Sequence, residues 1–173
     1  MNPLRALRDM RTISGLLTDA ERRARAMGEE QPGAEHLLLA ALDLSDGSAR
    51  RTFERLGVDP DRLGAALGSL DVEALVAIGI EPRRAERLRQ PVPLDPAAGS
   101  GVYRSAASAR EAFQAAGALA RSEKVPLVGA HVVAAVADMA HGTAPRVLAA
   151  MGVDRSALAA AARDELDGRG RRA

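Results

Sequence analysis

The sequence predicts an all-α fold made of two stacked, pseudo-symmetric four-helix repeats, and three observations predict it. The first is internal repetition. Residues 33–59, GAEHLLLAALDLSDGSARRTFERLGVD, recur at a constant offset of 95 positions as residues 128–154, VGAHVVAAVADMAHGTAPRVLAAMGVD. One supersecondary unit used twice fixes an architecture before any single residue is interpreted. The second is composition: 47% hydrophobic residues with two Phe, one Tyr and no Trp leave an aliphatic, alanine-rich core, which suits close-packed helices better than sheets. The third is spacing, since apolar residues follow the i, i+3, i+4, i+7 pattern between turns marked by Gly and Pro.

Taken in order, residues 1–11 form a short basic lead-in, and Ile13, Leu16, Leu17, Ala20, Ala24 and Met27 then define an amphipathic helix from about Thr12 to Met27. Gly28 stops it, and Pro32 keeps the following turn out of a helix. A second helix begins near Ala34 and carries the continuous apolar run Leu37 to Leu42, the mark of a helix packed on several sides. A third runs from about Ser48 to Leu56 behind a Ser45 or Asp46 cap and ends at Gly57. Asp59-Pro60 opens a fourth, to about Leu70.

Residues 71–101 have no counterpart in either repeat. DVEALVAIGIEPRRAERL contains a further helix-Gly-helix phrase with a short helix from Pro82 to about Leu88, and RQPVPLDPAAGSG has the chemistry of a linker. Repeat one therefore spans about 12–70, the insert and linker 71–101, and repeat two about 102–167, within a single domain over 1–173. In repeat two, Ser105 or Ser108 caps a helix to about Ser122, Gly129 to Ala140 is the buried partner of Ala34 to Leu44, Thr143 to Met151 ends at Gly152, and Asp154 caps a last helix to Leu166. GRGRRA is expected to be frayed.

The formal charge of +1, from 24 basic and 23 acidic residues, supplies no field for nucleic acid or an anionic membrane. With no Cys there are no disulfides, no thiol catalysis and no cysteine-ligated zinc, which fits a reducing cytoplasm. No apolar run approaches the roughly 18 residues of a membrane span. Ser14, Ser45, Ser48 and Ser105 lie in no nucleophile motif, and the pairs Glu29/Glu30 and Asp59/Asp61 sit at turns and caps, so no catalytic residue is assigned. Three His and no Cys make a metal site of three or four N/S ligands an unfavourable reading, and none is assigned. PRRAERLR is the densest basic cluster and, with helix-Gly-helix phrases, leaves a DNA-associated regulator as a third reading.

The phrase GAEHLLLAAL, an acidic and Gly-containing turn, and then A-x-x-x-x-x-x-L-G-V-D, all stated twice, resembles the N-terminal domain of Clp ATPases, the double Clp-N motif of Clp unfoldases. The resemblance covers roughly Ile13 to Leu70 and Ser105 to Leu166. No G-x-x-x-x-G-K-[ST] phosphate loop is present, and the single lysine, Lys124, lies in SEKVPL, so the chain is similar to a Clp-N domain standing alone without its AAA+ modules. The insert is similar to those of stand-alone actinobacterial proteins of this kind. The resemblance implies a non-enzymatic, cytoplasmic protein-interaction module that receives substrates or adaptors, without ATPase activity or a cofactor, and regulates Clp-dependent proteolysis. A preformed groove between the units, or an apolar patch near the first helices, would take the peptide or partner helix.

The resemblance also implies a second reading, a phosphoarginine reader or a protein that sequesters such a small molecule, through the acidic residue of the G-x-E-H turn and a Thr on the preceding helix. Glu35 matches the acid. The Thr position falls near Met10, and Thr12 is the nearest threonine. In repeat two the acid becomes Ala130 at the constant offset, or His131 if the glycines are aligned, and Ser105 is the candidate for the Thr. Independently of the resemblance, His36 and His131 are read as structural, tying the preceding turn to the helix start by a ring hydrogen bond. The repeated Gly47/Gly142 and Gly57/Gly152 are read as turn and stop positions. Glu35, absent from the second copy, is where function is first sought.

Overall fold

A computed structural model describes residues 3–88 and 105–170. Nine helices and no strand occur among the described residues: α1 Pro3–Ala26, α2 Ala34–Leu42, α3 Ser48–Arg55, α4 Arg62–Ala77, α5 Pro82–Leu88, α6 Ala107–Ser122, α7 Gly129–Asp138, α8 Thr143–Ala150 and α9 Arg155–Gly170. The Pro/Gly linker expected up to residue 101 lies outside the described residues.

Three helices differ from the reading of the sequence. The lead-in is part of α1, which starts at Pro3: proline suits the first helical position, and LRALRDMR contains good helix formers and no breaker. Helix α4 runs past Leu70 to Ala77, because the first residue that stops it is Gly79, in the left-handed region at φ 91°. Helix α9 continues past Leu166 to Gly170. Neither serine caps α6. Its N-cap is Ala106, without a side-chain cap, and the Ser108 hydroxyl instead accepts the Ala34 N–H at the head of α2 (3.3 Å).

The core is built around α2 and α7, which pack on each other. Every residue of α2 is buried, as is Gly129–Ala137 of α7. Helix α1 covers α2 and α6 covers α7, while α3 packs on α7 and α9, and α8 on α2 and α4. One apolar cluster, including Leu16, Phe53, Leu63, Val132 and Leu148, therefore runs through both repeats. The contact is close at Gly129, where an added Cβ would lie 2.9 Å from Ala49 Cβ and 3.0 Å from the Ala41 carbonyl oxygen. Cross-repeat polar contacts finish this junction. Asp46 Oδ2 accepts the Gly129 N–H (3.2 Å) and Ser48 Oγ the Ala130 N–H (2.8 Å), so side chains from the turn before α3 and from its first residue satisfy free amides of α7. Arg51 Nε and Arg55 Nη2 donate to the two oxygens of buried Glu165 on α9 (2.8 and 2.9 Å).

The repeats are not equal. Helix α9 lies along α7, whereas α4 touches α2 lightly and packs on α5 and α8. Asp154 caps α9 directly, accepting the Ser156 and Ala157 N–H groups (2.8 and 3.1 Å). The Asp59 carboxylate instead accepts the Asp61 N–H (2.9 Å), in a turn that precedes α4.

Candidate functional site

The heads of α2 and α7 are built alike. The Gly33 N–H donates to His36 Nδ1 and the Val128 N–H to His131 Nδ1, both at 3.1 Å. The ring at the third helical position thus takes the part that Glu or Gln plays in a capping box. Both histidines are completely buried.

Beyond that bond the two heads part. His131 Nε2 lies 3.2 Å from Glu123 Oε2. With Nδ1 accepting from the backbone and Nε2 facing a carboxylate, this is the Nε2–H tautomer with both ring nitrogens satisfied. Burial holds His131 below the ordinary histidine range, against the opposing bond and charge of Glu123. At His36, Nε2 lies 3.8 Å from Glu29 Oε1 and has no hydrogen-bond partner among the described residues. A second carboxylate, Glu35 Oε1, lies 3.3 Å from Nδ1.

Glu35 is only 6% exposed, unlike the exposed carboxylate that recognition of a free cationic group would use. It folds back over the turn: a Cβ on Gly33 would sit 1.9 Å from Glu35 Oε1. In repeat two Ala130 replaces Glu35 and Val128 replaces Gly33, so a side chain returns to the extended turn position where the carboxylate is absent. One donor atom from each of Glu29, Glu35 and His36 lies within 4.8 Å of the others. Burial raises the Glu29 carboxyl above its ordinary value; His36 opposes this, and the charges of Glu35 and Asp71 add to it.

Thr12 is half-buried on α1, and no hydrogen bond among the described residues joins it to Glu35. Ser105 is buried. Gly47 and Gly142 precede α3 and α8 with φ of 64° and 110°, and Gly57 and Gly152 follow them with φ of 66° and 73°. The reading of the sequence missed Glu29, taken there as a solvated turn residue, although Glu123 occupies the same role one position off the constant offset. It also missed Asp46 and Ser48 as cross-repeat caps, for which no local pattern exists.

A second feature lies on α4 and α5. A groove of about 410 Å³ is lined by Gly68, Ser69, Val72, Glu73 and Glu86. The same helices and the turn between them expose Val76, Ile78 and Leu88, Ile78 at 75%. This groove belongs to the first repeat and its insert; it does not lie between the two units. Among the described residues no helix is long and apolar enough to cross a membrane.

Residues 11–82 match the family model of the Clp repeat (R) N-terminal domain. No curated protein matches the chain. Among solved structures, the N-terminal domain of the caseinolytic protease associated chaperone ClpD from Arabidopsis thaliana is similar over 91% of this chain and 92% of that one, with a TM-score of 0.58 and 20% identity. A chain of a malarial protein secretion system is similar over the same shares, with a TM-score of 0.53 and 18% identity. Residues 11–82 thus carry the sequence pattern of the Clp repeat N-terminal domain, and the chain as a whole shares the fold of these solved structures.

Proposed function

We propose that this domain receives protein substrates or adaptors for Clp-type machinery and so regulates proteolysis. The family is one of non-catalytic protein-interaction domains. The observation that carries the proposal is the apolar edge of Val76, Ile78 and Leu88 on the helices that also form the 410 Å³ groove. Exposed apolar side chains beside a groove are what an extended peptide or a partner helix buries. Glu73 and Glu86 at its lining favour a segment carrying a basic residue.

The test is fluorescence anisotropy of unfolded casein with wild type and Ile78→Asp/Leu88→Asp. Loss of two anchors of this size weakens binding about tenfold or more, with an unchanged melting temperature. Equal binding by the two proteins sinks the proposal. The second reading, a phosphoarginine reader, rests on Glu35 with Thr12, and the burial of Glu35 weighs against it. Calorimetry with free phosphoarginine is the arm that separates it, since it requires binding that Glu35→Ala removes.

A further inference from the structure

We propose that Glu29 and His36 Nε2 form a binding site for a divalent transition-metal ion of the zinc type, with Glu35 as the positioning carboxylate behind the ring. Two acceptors conflict at the head of α2. Glu35 Oε1 lies 3.3 Å from His36 Nδ1. If that nitrogen holds a lone pair, as its bond from the Gly33 N–H requires, the lone pair and a carboxylate oxygen face each other in a buried site. Moving the ring proton to Nδ1 removes the conflict, because Glu35 Oε1 then accepts it. The same carboxylate is folded over the Gly33 Cα, and the Gly33 N–H gives up its bond to Nδ1 in this tautomer.

The move transfers the problem to the other side of the ring. Nε2 becomes an unprotonated donor atom, fully buried, without a hydrogen-bond partner, and 3.8 Å from Glu29 Oε1. Two electron-pair donors at that separation are spaced to take a cation between them. Zinc bonds to His N and carboxylate O at about 2.0–2.2 Å, so a small shift of the half-exposed Glu29 side chain closes the pair on the ion, with water completing the coordination. The arrangement is a carboxylate–histidine–metal relay, in which the outer carboxylate sets the tautomer and raises the basicity of the ligand. Imidazole with carboxylate favours zinc and its neighbours over calcium or magnesium, which take oxygen ligands. Sequence reasoning passed over the site because it counted N/S ligands, and two of these three groups are carboxylates.

The second repeat is the built-in control. There Nε2 is engaged by Glu123 at 3.2 Å, and Ala130 offers nothing to hold a proton on Nδ1. One site per chain is expected, at His36 only.

The experiment is a zinc chloride titration of the full chain, followed by calorimetry and by long-range ¹H–¹⁵N correlations of the histidine rings, with magnesium as the comparison ion. Wild type should bind one equivalent of zinc, with His36 carrying its proton on Nδ1 and the His131 signals unmoved. Glu29→Gln, a change at a half-exposed side chain, should weaken binding about tenfold or more, and Glu35→Ala about 10–100-fold. Absence of zinc binding overturns the proposal, as does affinity unchanged in Glu29→Gln, which would locate the ion elsewhere. A His36 ring that keeps its proton on Nε2 at saturating zinc also overturns it, and would leave a plain hydrogen bond to Glu29, as in repeat two.

Discussion

The heads of α2 and α7 solve one folding problem with the same side chain and then use the other side of that side chain differently. Each must give an acceptor to a backbone N–H ahead of a buried helix, and each uses a histidine Nδ1 at 3.1 Å. In α7 the ring's second nitrogen is closed off by Glu123. In α2 it faces Glu29 at 3.8 Å with no hydrogen bond, while Glu35 crowds the first nitrogen. A repeat whose polar atoms are all paired is explained by folding alone. A repeat that leaves one buried nitrogen unpaired and adds a buried carboxylate carries more than folding needs, and among the described residues this imbalance occurs in the copy that has Glu35.

The largest effect expected is at the rings themselves. His131→Ala leaves the Val128 N–H without its acceptor and opens a cavity at a fully buried position, a loss of about 3–4 kcal/mol. His36→Ala opens the same cavity and strands the Gly33 N–H, but forfeits no bond at Nε2, so about 1 kcal/mol less is expected. Urea denaturation of both variants tests the comparison, and equal losses would break it. The titration of His131 sharpens it further. Its folded pKa lies below its ordinary 6.5 because of burial, so above pH 6.5 both states are neutral and the ring contributes no pH dependence. As pH falls below 6.5 the unfolded chain takes up the proton first, and stability drops until the folded value is passed. His131→Gln should flatten that part of the stability curve.

The next effect concerns how the repeats are joined. Helix α3 reaches α9 through Arg51 and Arg55 on Glu165, whereas the residues 95 positions on from the two arginines, Arg146 and Ala150 on α8, provide no such pair toward α4. Burial raises the Glu165 carboxyl, but the bonds and charges of the two arginines outweigh it and hold the group below its ordinary 4.5. Its contribution is therefore complete above pH 4.5 and is lost as pH falls through the lower folded value. Glu165→Gln should cost about 1–2 kcal/mol at pH 7, since both arginines are about half exposed and recover solvation. The gap from wild type should close in acid; a gap that persists there would mean the residue acts by packing.

Much of this architecture was legible because it rests on local chemistry stated twice. The run Leu37 to Leu42 announces a helix buried all round, and Gly57 and Gly152 mark helix ends that only the left-handed region can make. Boundaries failed where no local signal opposes a helix, as at residues 3–11 and between Leu70 and Ala77. The site was half legible. Glu35 stood out as the residue missing from repeat two, but its burial and its fold over Gly33 depend on the turn's path. Asp46 and Ser48 capping α7, 83 and 82 residues away, come from tertiary packing, which no spacing in the sequence encodes.

The smallest effect lies at the ends of α1 and α6, where repetition of structure has outrun repetition of sequence. Gly28 follows α1 at φ 83°, with the Glu29 N–H returning to the Ala24 carbonyl at 2.9 Å. The matching position after α6 is Lys124 at φ 58°, with the Val125 N–H returning to the Ala120 carbonyl at 3.0 Å. The hydrogen-bonding cap is the same in both, so the difference is conformational. A side chain in the left-handed region costs about 1–2 kcal/mol, whereas glycine gives back roughly 0.5–1 kcal/mol through the greater freedom of its unfolded chain. Lys124→Gly should therefore stabilise the domain by about 0.5–1 kcal/mol, and Gly28→Ala, where an added Cβ meets nothing within 4 Å, should destabilise it by a similar amount. If Lys124→Gly destabilises instead, the contacts of the Lys124 side chain outweigh the strain of its backbone, and the two helix ends are alike in geometry but not in what holds them.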